Sequence, residues 1–185
     1  MKYLIASDIH GSAGCCERLL QAFEREKADR LLLLGDLLYH GPRNDLPEGF
    51  GPKGVMAQLN AYKDRIFAVR GNCDADIDLE VLEFGIFEPV LYLREEGLTV
   101  AATHGHIYGE NRPPRGLEPG SVVLGGHTHI PALKDYGTYL YMNPGSASLP
   151  KGGSEKGYML WEGRSFQWKT LDGVLFRSYE AESRA

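Results

Sequence analysis

Four consecutive leucines, Leu31–Leu34, are the feature that most limits how this chain can fold. The run is bounded by charged residues and by Gly35, and it has the length of a β-strand. An uninterrupted apolar run of this kind is typical of a strand that is covered on both faces, as in a parallel sheet. The sequence therefore predicts an α/β fold in which this strand is central.

The neighbouring segments complete two strand–helix–strand units. Lys2–Ser7 is another short apolar run, and Cys15–Glu26 carries apolar residues at helical spacing. Pro52 is expected to begin a helix that runs to about Tyr62. Ile66–Val69 then forms the third strand, and two successive βαβ units predict parallel pairing.

From there the sequence favours short strands separated by glycine-containing turns, the first two flanking Glu95-Glu96-Gly97 as a hairpin. These predicted strands are Val90–Leu93, Leu98–Thr103, Val122–Leu124, Ala132–Tyr136, Tyr139–Met142, Tyr158–Trp161, Phe166–Leu171 and Val174–Tyr179. The alternating aromatics Trp161, Phe166 and Trp168 are expected in the core. No linker interrupts the pattern, so residues 1–185 are expected to fold as one domain.

Composition limits the classes of function. The formal net charge of −5 argues against a broad nucleic-acid or membrane-binding surface. No stretch approaches the roughly 18 apolar residues of a membrane span. The three cysteines, Cys15, Cys16 and Cys73, make a poor disulfide framework, so a reducing, cytoplasmic location is expected.

Polar segments follow five of the predicted strands directly. They are Asp8-Ile9-His10, Gly35-Asp36, Gly71-Asn72-Cys73-Asp74, Thr103-His104-Gly105-His106 and Gly125-Gly126-His127-Thr128-His129. The carboxyl ends of parallel strands meet at one edge of a sheet, so Asp8, Asp36 and Asn72 are expected to lie together. The histidine segments can join them if their strands align.

Aspartate, asparagine and histidine together suit divalent ions such as Mn²⁺, Fe²⁺ or Zn²⁺. Hydrolysis at phosphorus benefits when two cations roughly 3.5–4 Å apart hold the attacking and leaving oxygens. A shared carboxylate is the simplest bridge, and Asp36 at the end of the leucine strand is the natural candidate. His127 and His129 cannot point the same way on a regular strand, so they serve two different ions or lie on a turn.

Each polar segment by itself has an ordinary structural explanation. Gly-Asp after a strand is commonly a turn, and Asn72 alone would most often be a turn or cap residue. The metal-site interpretation rests on the ordered set, because every one of these explanations would otherwise have to hold at the same time.

The ordered motifs resemble those of the calcineurin-like metallophosphoesterases, and more narrowly the small bacterial YfcE-type phosphodiesterases. Ser7-Asp8-Ile9-His10-Gly11, the segment His40–Asn44 and the turn Asn143–Ser146 carry the narrower resemblance. It implies a four-layer α/β/β/α sandwich of two mixed sheets flanked by helices. It also implies two divalent ions, Mn²⁺ first and Zn²⁺, Fe²⁺, Ni²⁺ or Co²⁺ as alternatives.

The same resemblance implies a ligand set. Asp8, His10, Asp36 and His129 would hold one ion, and Asp36, Asn72, His104 and His127 the other. Asp36, Asn72 and His104 are expected to act in catalysis, with Asn72 also contacting substrate. The implied reaction is in-line attack of a metal-bound hydroxide on a small phosphodiester.

One position departs from the family pattern. Many relatives carry Gly-Asn-His where this chain has Cys73, and a thiol with an ordinary pKa of about 8.5 is a poor acid for a leaving group. Either the enzyme favours good leaving groups, or His106 or His40 supplies the proton. His40 and Arg43 are also candidate substrate contacts, and Arg43 would pair with a substrate phosphate or else be a solvated loop residue. Lys151-Gly152-Gly153 lacks the spacing of a phosphate-binding P-loop.

Other activities of the same site, a non-enzymatic role and the oligomeric state stay open. The same site would suit a phosphomonoesterase or a nuclease, although extended nucleic-acid binding is not expected without a basic track. The retromer complex contains a scaffold subunit of this fold with a degraded metal site, whereas every ligand position is present here. A homo-oligomer formed through strands near Tyr136–Met142 is also compatible with the sequence.

Overall fold

The structure is a computed structural model, and it describes residues 1–182. The helices within this range are α1 (Ala13–Arg25), α2 (Pro52–Asn60), α3 (Asp76–Val81) and a single 3-10 turn at Lys63–Arg65. The strands are β1 (Lys2–Ala6), β2 (Arg30–Leu33), β3 (Ile66–Val69), β4 (Gly85–Phe87), β5 (Leu91–Glu95), β6 (Leu98–Ala102), β7 (Ser121–Leu124), β8 (Ala132–Asp135), β9 (Tyr139–Asn143), β10 (Gly157–Glu162), β11 (Ser165–Thr170) and β12 (Leu175–Glu180).

The strands form two mixed sheets. The larger has seven strands in the order β12-β11-β10-β1-β2-β3-β4. Strands β1 to β4 run parallel, and β10 joins them antiparallel to β1. The smaller has five strands in the order β5-β6-β7-β9-β8, with β6, β7 and β9 parallel. The predicted βαβ units and the predicted hairpin are confirmed.

The leucine run shows why the larger sheet is covered on both faces. Leu31 and Leu33 point into the cluster that includes helices α1 and α2, whereas Leu32 and Leu34 point into the cluster between the sheets. All four are fully buried. Trp161, Phe166 and Trp168 lie in the cluster between the sheets, as expected.

The outer layers differ in character. Helix α1 packs Leu19 and Phe23 against the larger sheet, and its first turn is capped by Ser12, whose hydroxyl accepts the Cys15 N–H. On the outer face of the smaller sheet, Leu117 packs near Tyr139 and Tyr141. Leu117 belongs to the non-helical segment 103–120. The predicted fold class, two mixed sheets with flanking helices, is confirmed.

Two elements were not predicted, namely α3 and β4. Helix α3 has only 6 residues, and its apolar Ile77 and Leu79 are exposed, so it shows no buried apolar stripe. Strand β4 has 3 residues and pairs with β3. Among the helices of the described part, none is long and apolar enough to cross a membrane.

Candidate active site

The polar segments that follow β1, β2, β3, β6 and β7 converge at one edge of the two sheets. Within the described residues the structure brings together three overlapping groups of side chains, and in each group the ligand atoms lie within 4.8 Å of one another. One of them joins His10, Asp36 and Cys73, and the other two define two polar clusters. The first polar cluster is Asp8, His10 and His129, and the second is Asp36, His104 and His127. His127 and His129 thus lie in different clusters, on a loop rather than a regular strand. This is the arrangement that their spacing allowed.

The first cluster is built around one carboxylate oxygen. Asp8 Oδ1 lies 3.2 Å from His129 Nε2 and 3.5 Å from His10 Nε2. The two Nε2 atoms are themselves 3.2 Å apart. Adjacent ligands of a divalent ion with bonds of about 2.1 Å are spaced by about 3 Å, so these three atoms suit one ion.

The second cluster is built around Asp36. Asp36 Oδ2 lies 3.4 Å from His104 Nε2 and 3.7 Å from His10 Nε2, so this carboxylate reaches toward both clusters. Asn72 Oδ1 lies 3.0 Å from His104 Nε2, which adds an amide oxygen to the second cluster. The Asp36 carboxylate therefore lies between the two clusters.

Three of the imidazoles are held in the same tautomer. Nδ1 of His10, His104 and His129 lies 2.7–2.8 Å from the carbonyl oxygens of Tyr39, Leu34 and Leu149. A carbonyl oxygen only accepts, so each Nδ1 carries the proton and donates it. In the neutral ring Nε2 is then left as a lone pair facing the cluster, which is the usual arrangement for a metal-ligating histidine.

In this geometry, oxygen and nitrogen lone pairs face one another in a site that is buried from solvent. Asp8 is 0% exposed, and its Oδ1 is a buried oxygen without a hydrogen-bond partner within residues 1–182. The Nε2 lone pairs of His10 and His129 also face each other. Buried polar atoms normally have a partner, so these atoms fit a cation between them. The mixed nitrogen and oxygen donors match the chemistry expected for Mn²⁺, Fe²⁺ or Zn²⁺.

Imidazoles and carboxylates in the two clusters shift each other's pKa. Burial disfavours ionisation of Asp8, but the imidazoles of His10 and His129, whose Nε2 atoms lie 3.5 and 3.2 Å from its Oδ1, lower its pKa well below the usual range. Burial likewise opposes protonation of His104, yet its hydrogen bond to the Asp36 carboxylate and the negative charges of Asp8 and Asp36 raise its pKa to about 9. A divalent ion bound here would have to displace the proton that His104 carries at neutral pH.

The backbone of the candidate ligands is strained. Asp8, His10, Asp36, His127 and His129 all have positive φ angles, between 49° and 65°. This conformation costs a non-glycine residue about 1–3 kcal/mol, and it concentrates at functional sites. The ligand side chains thus project from sharp turns at the strand ends.

Neighbouring glycines make room for these turns. A Cβ at Gly126 would collide with Ser7 Oγ, and one at Gly71 would collide with Asp36 Oδ1. The backbone of the two loops can therefore approach the carboxylates directly, and the His127 N–H donates to Asp8 Oδ2 at 3.0 Å.

Asp74, which the sequence analysis quoted without assigning it a role, ties two strand ends together. Its buried carboxylate accepts the N–H groups of Asp36, Leu37 and Gly71 at 2.7–2.8 Å. The loops after β2 and β3 are thereby fixed relative to each other. Burial raises the pKa of Asp74.

Two serines hold the loop after β1 through contacts that the sequence did not reveal; Ser146 was noted only as part of a turn, and Ser148 was not singled out. The hydroxyls of Ser146 and Ser148 donate to the Asp8 carbonyl at 2.8 and 3.0 Å. The turn Asn143–Ser146, interpreted as structural, thus supports the backbone of a candidate ligand. A turn composition predicts a bend, but it does not reveal which distant carbonyl the bend will contact.

Cys73 lies inside the site. Its thiol is within 4.8 Å of ligand atoms of His10 and Asp36, and its N–H donates to Asp36 Oδ1 at 2.8 Å. Burial and the charge of Asp36 raise the pKa of the thiol to about 12. The thiol is therefore an even weaker proton donor here than the sequence alone suggested.

The other candidate residues from the sequence differ in whether they line the cleft beside the clusters. A cleft of about 750 Å³ beside the clusters is lined by Arg43, Asn72 and Cys73, among others. His40 is absent from this lining, and its ring packs edge-on against Phe50. The expected substrate contact by His40 stays a prediction.

His106 lies on the other side of Asn72. It is exposed, its ring centroid is 5.3 Å from that of His104, and it lines a separate hollow of about 600 Å³. Burial and the nearby charge of His104 lower its pKa. Its imidazole can reach the edge of the site without belonging to either cluster.

Comparison with known proteins agrees with this architecture. Residues 1–165 match the calcineurin-like phosphoesterase superfamily domain. Phosphodiesterase YfcE of Escherichia coli strain K12 is 44% identical over 158 residues, which is 85% of each chain. The solved structure of the E. coli YfcE phosphoesterase superposes with a TM-score of 0.94 at 39% identity, over 98% of this chain and 100% of that one.

A more distant structure shares the fold alone. Vps29 of Entamoeba histolytica, solved in complex with Zn²⁺, has a TM-score of 0.62 at 18% identity, covering 98% of this chain and 100% of that one. The family match and the YfcE similarity are decisive for identity. This chain belongs to the calcineurin-like phosphoesterase superfamily, and it is a phosphoric ester hydrolase of a family that implies divalent metal ions.

Proposed function

We propose that this protein is a phosphodiesterase that hydrolyses small phosphodiesters at a site for two divalent ions. The observation that carries the proposal is the position of Asp36 Oδ2, which lies 3.4 Å from His104 Nε2 and 3.7 Å from His10 Nε2. A carboxylate shared by two clusters of lone pairs would offset the repulsion between two divalent ions bound close together. The similarity to E. coli YfcE supports the diesterase assignment.

The proposed ligand sets follow the two clusters. Asp8, His10 and His129 would hold one ion together with Asp36, while Asp36, His104, His127 and Asn72 would hold the other. When bound, the ions would lower the pKa of a water molecule and neutralise charge on the phosphoryl oxygens. Mn²⁺ is the first choice because the donors are mixed oxygen and nitrogen, with Zn²⁺, Fe²⁺, Ni²⁺ and Co²⁺ as alternatives.

The protein's own groups would orient the substrate and move protons. Asn72 reaches from the second cluster into both hollows beside the site, so its amide can contact a phosphoryl oxygen. His106 is the better candidate for protonating a leaving group, since the thiol of Cys73 has a pKa of about 12. Arg43 lies in the cleft and is proposed to contact the substrate.

Two other activities remain candidates at the same site. A phosphomonoesterase would need the same ions and differs in the charge of its substrate. A nuclease would need an extended basic track, which a chain of net charge −5 makes less favourable. A metal-bound interaction scaffold is a different class, and the complete set of candidate ligands speaks against it.

The proposal extends to three broader properties. Strand β1 near the start of the chain pairs with β10 near its end, which supports a single domain over residues 1–185. The free cysteines Cys15 and Cys16 are buried, which suits a cytoplasmic protein. An oligomer formed through residues 136–142 stays a prediction.

The test is hydrolysis of bis-p-nitrophenyl phosphate by metal-stripped protein, with and without added Mn²⁺. We expect turnover only with metal, and a loss of at least about 100-fold in Asp36→Asn, because that variant removes the bridging charge. A p-nitrophenyl monoester assayed in parallel separates diesterase from monoesterase activity. Metal binding without turnover for any of Mn²⁺, Zn²⁺, Fe²⁺, Ni²⁺ and Co²⁺ would favour the scaffold instead.

A further inference from the structure

Two positively charged side chains in the cleft do not belong to the clusters described above. Arg43 and Lys151 both line the cleft, and both are exposed. Within residues 1–182, neither side chain has a carboxylate oxygen within 4.0 Å or a hydrogen bond to another group. Cations elsewhere are commonly paired with carboxylates, as in Arg18–Asp172, Lys63–Glu83, Arg70–Glu88 and Lys169–Glu26.

The turn that carries Arg43 is fixed against the active site. Asn44 Nδ2 donates to the His40 carbonyl at 2.8 Å and closes the turn. Gly41 has a φ of 80°, and a Cβ placed there would lie 2.9 Å from Cys73 Sγ. The backbone of the turn therefore packs directly on the residue that follows Asn72.

The backbone of Lys151 is tied to the other side of the site. Its N–H donates to the His129 carbonyl at 3.1 Å. Its own carbonyl accepts the Ser154 hydroxyl at 2.7 Å and the Ser154 N–H at 3.2 Å. The two cations thus project from separate, hydrogen-bonded turns, and each turn is attached to a residue of the candidate site.

The exposed charged side chains of the cleft are positive, whereas the whole chain has a negative net charge. Among its lining residues the carboxylates are Asp36 and Asp74, and both are buried and already accept backbone N–H groups. The exposed charges of the lining are then those of Arg43 and Lys151, in a protein of net charge −5. Exposed positive side chains in a cleft attract anionic ligands.

We propose that Arg43 and Lys151 form a subsite for a second phosphate group, so that the substrate is a phosphodiester that carries an additional phosphate. This inference rests on the proposed diesterase function. The scissile diester has a single negative charge and would be held at the two clusters, which leaves both side chains available. A guanidinium matches phosphate geometry, and an ammonium adds a point charge. The cleft volume of about 750 Å³ is in the range of small-molecule sites.

The experiment compares two diesters that share a leaving group and differ by one phosphate. They are thymidine 5′-(p-nitrophenyl phosphate) and the same compound with a 3′-phosphate. We expect the Mn²⁺-loaded protein to show a kcat/KM about tenfold higher for the phosphorylated compound, because hydrogen bonds to charged groups are worth about that factor. Added salt should reduce the preference, since both cations are exposed.

The double variant Arg43→Ala/Lys151→Ala should bring this ratio close to one. Arg115→Ala/Lys53→Ala is the matched control, because these two cations lie outside the cleft lining and also lack a carboxylate partner within residues 1–182. The control should keep the parental ratio. A parental ratio near one, or a high ratio that survives in the cleft variant, would overturn the subsite.

Binding measurements separate failure of the subsite from failure of the diesterase proposal. If neither diester is hydrolysed, the diesterase proposal fails, and calorimetry with thymidine 3′,5′-bisphosphate and thymidine 5′-monophosphate decides the subsite alone. About tenfold tighter binding of the bisphosphate, lost in the cleft variant, would support it. Equal binding of the two nucleotides would contradict it.

Discussion

The thiol of Cys73 lies within 4.8 Å of ligand atoms of His10 and Asp36, where an acid for the leaving group would be useful. Burial and the charge of Asp36 raise its pKa to about 12, so it stays protonated but gives up its proton poorly at neutral pH. Cys73 therefore gives little help to a leaving group that needs a proton, and any such help must come from His106 on the other side of Asn72.

Replacing Cys73 by histidine should provide this help. A positioned imidazole contributes roughly 100-fold or more as a general acid, so we expect Cys73→His to raise kcat/KM at least about tenfold for a phenyl leaving group relative to p-nitrophenyl. The measurement is the ratio of the two rates for matched diesters. Cys73→Ser is the control of similar size, and it should keep the parental ratio. A ratio that is the same in the His and Ser variants would count against the role of this position.

At the scale of elements, the site depends on how the ends of β2 and β3 are joined. The carboxylate of Asp74 accepts three backbone N–H groups, from Asp36, Leu37 and Gly71. Each buried N–H that loses its acceptor costs about 1–3 kcal/mol. The loops after these strands would separate without it, and they carry Asp36 and Asn72.

We expect Asp74→Ala to lower the free energy of unfolding by at least about 3 kcal/mol, on this count of unpaired groups. The measurement is urea unfolding of the metal-free proteins. Asp76→Ala is the control, because the Asp76 side chain is 91% exposed and pairs only with Arg70 among the described residues. It should change stability by less than about 1 kcal/mol, as is usual for exposed ion pairs. Similar losses in both variants would contradict the proposed tie.

The larger sheet could be predicted because its strands are apolar runs that end in polar segments. The run Leu31–Leu34 must be buried on both faces, and its alternation between two clusters follows from strand geometry. Helix α3 could not be found in the same way, since its stability comes from local contacts. The Asp78 carboxylate accepts the Ala75 N–H at 2.9 Å, and the acidic sequence from Asp74 to Asp78 was the available signal.

The candidate ligands could be predicted because each directly follows a strand, whereas the supporting residues could not. Ser146 and Ser148 act on the Asp8 carbonyl, 138 and 140 residues away in sequence. Lys151 reaches the cleft through a turn that resembled a phosphate loop only superficially. In both cases the contact depends on how distant loops pack, and no periodicity in the chain encodes it.

At the scale of the whole molecule, the metal-free protein should change stability with pH in a defined direction. The pKa of His104 is raised from 6.5 to about 9 in the folded state. The protonated His104 therefore contributes to the free energy of unfolding fully below about pH 6.5, and this contribution is lost as the pH rises toward 9. The pKa of Asp8 is lowered from 3.8, so its contribution is lost only as the pH falls below that value. The metal-free fold should therefore weaken between neutral and mildly alkaline pH.

Divalent ions should reverse this trend, because they bind the deprotonated imidazoles and compete with protons. We expect Mn²⁺ to raise Tm, and the increase should be larger at about pH 8.5 than at about pH 6. The measurement is thermal unfolding of chelator-treated protein with and without Mn²⁺ at both pH values. Asp36→Asn should lose most of the increase, since it removes the carboxylate shared by the two clusters. An increase in Tm that is independent of pH would place the bound ion away from these histidines.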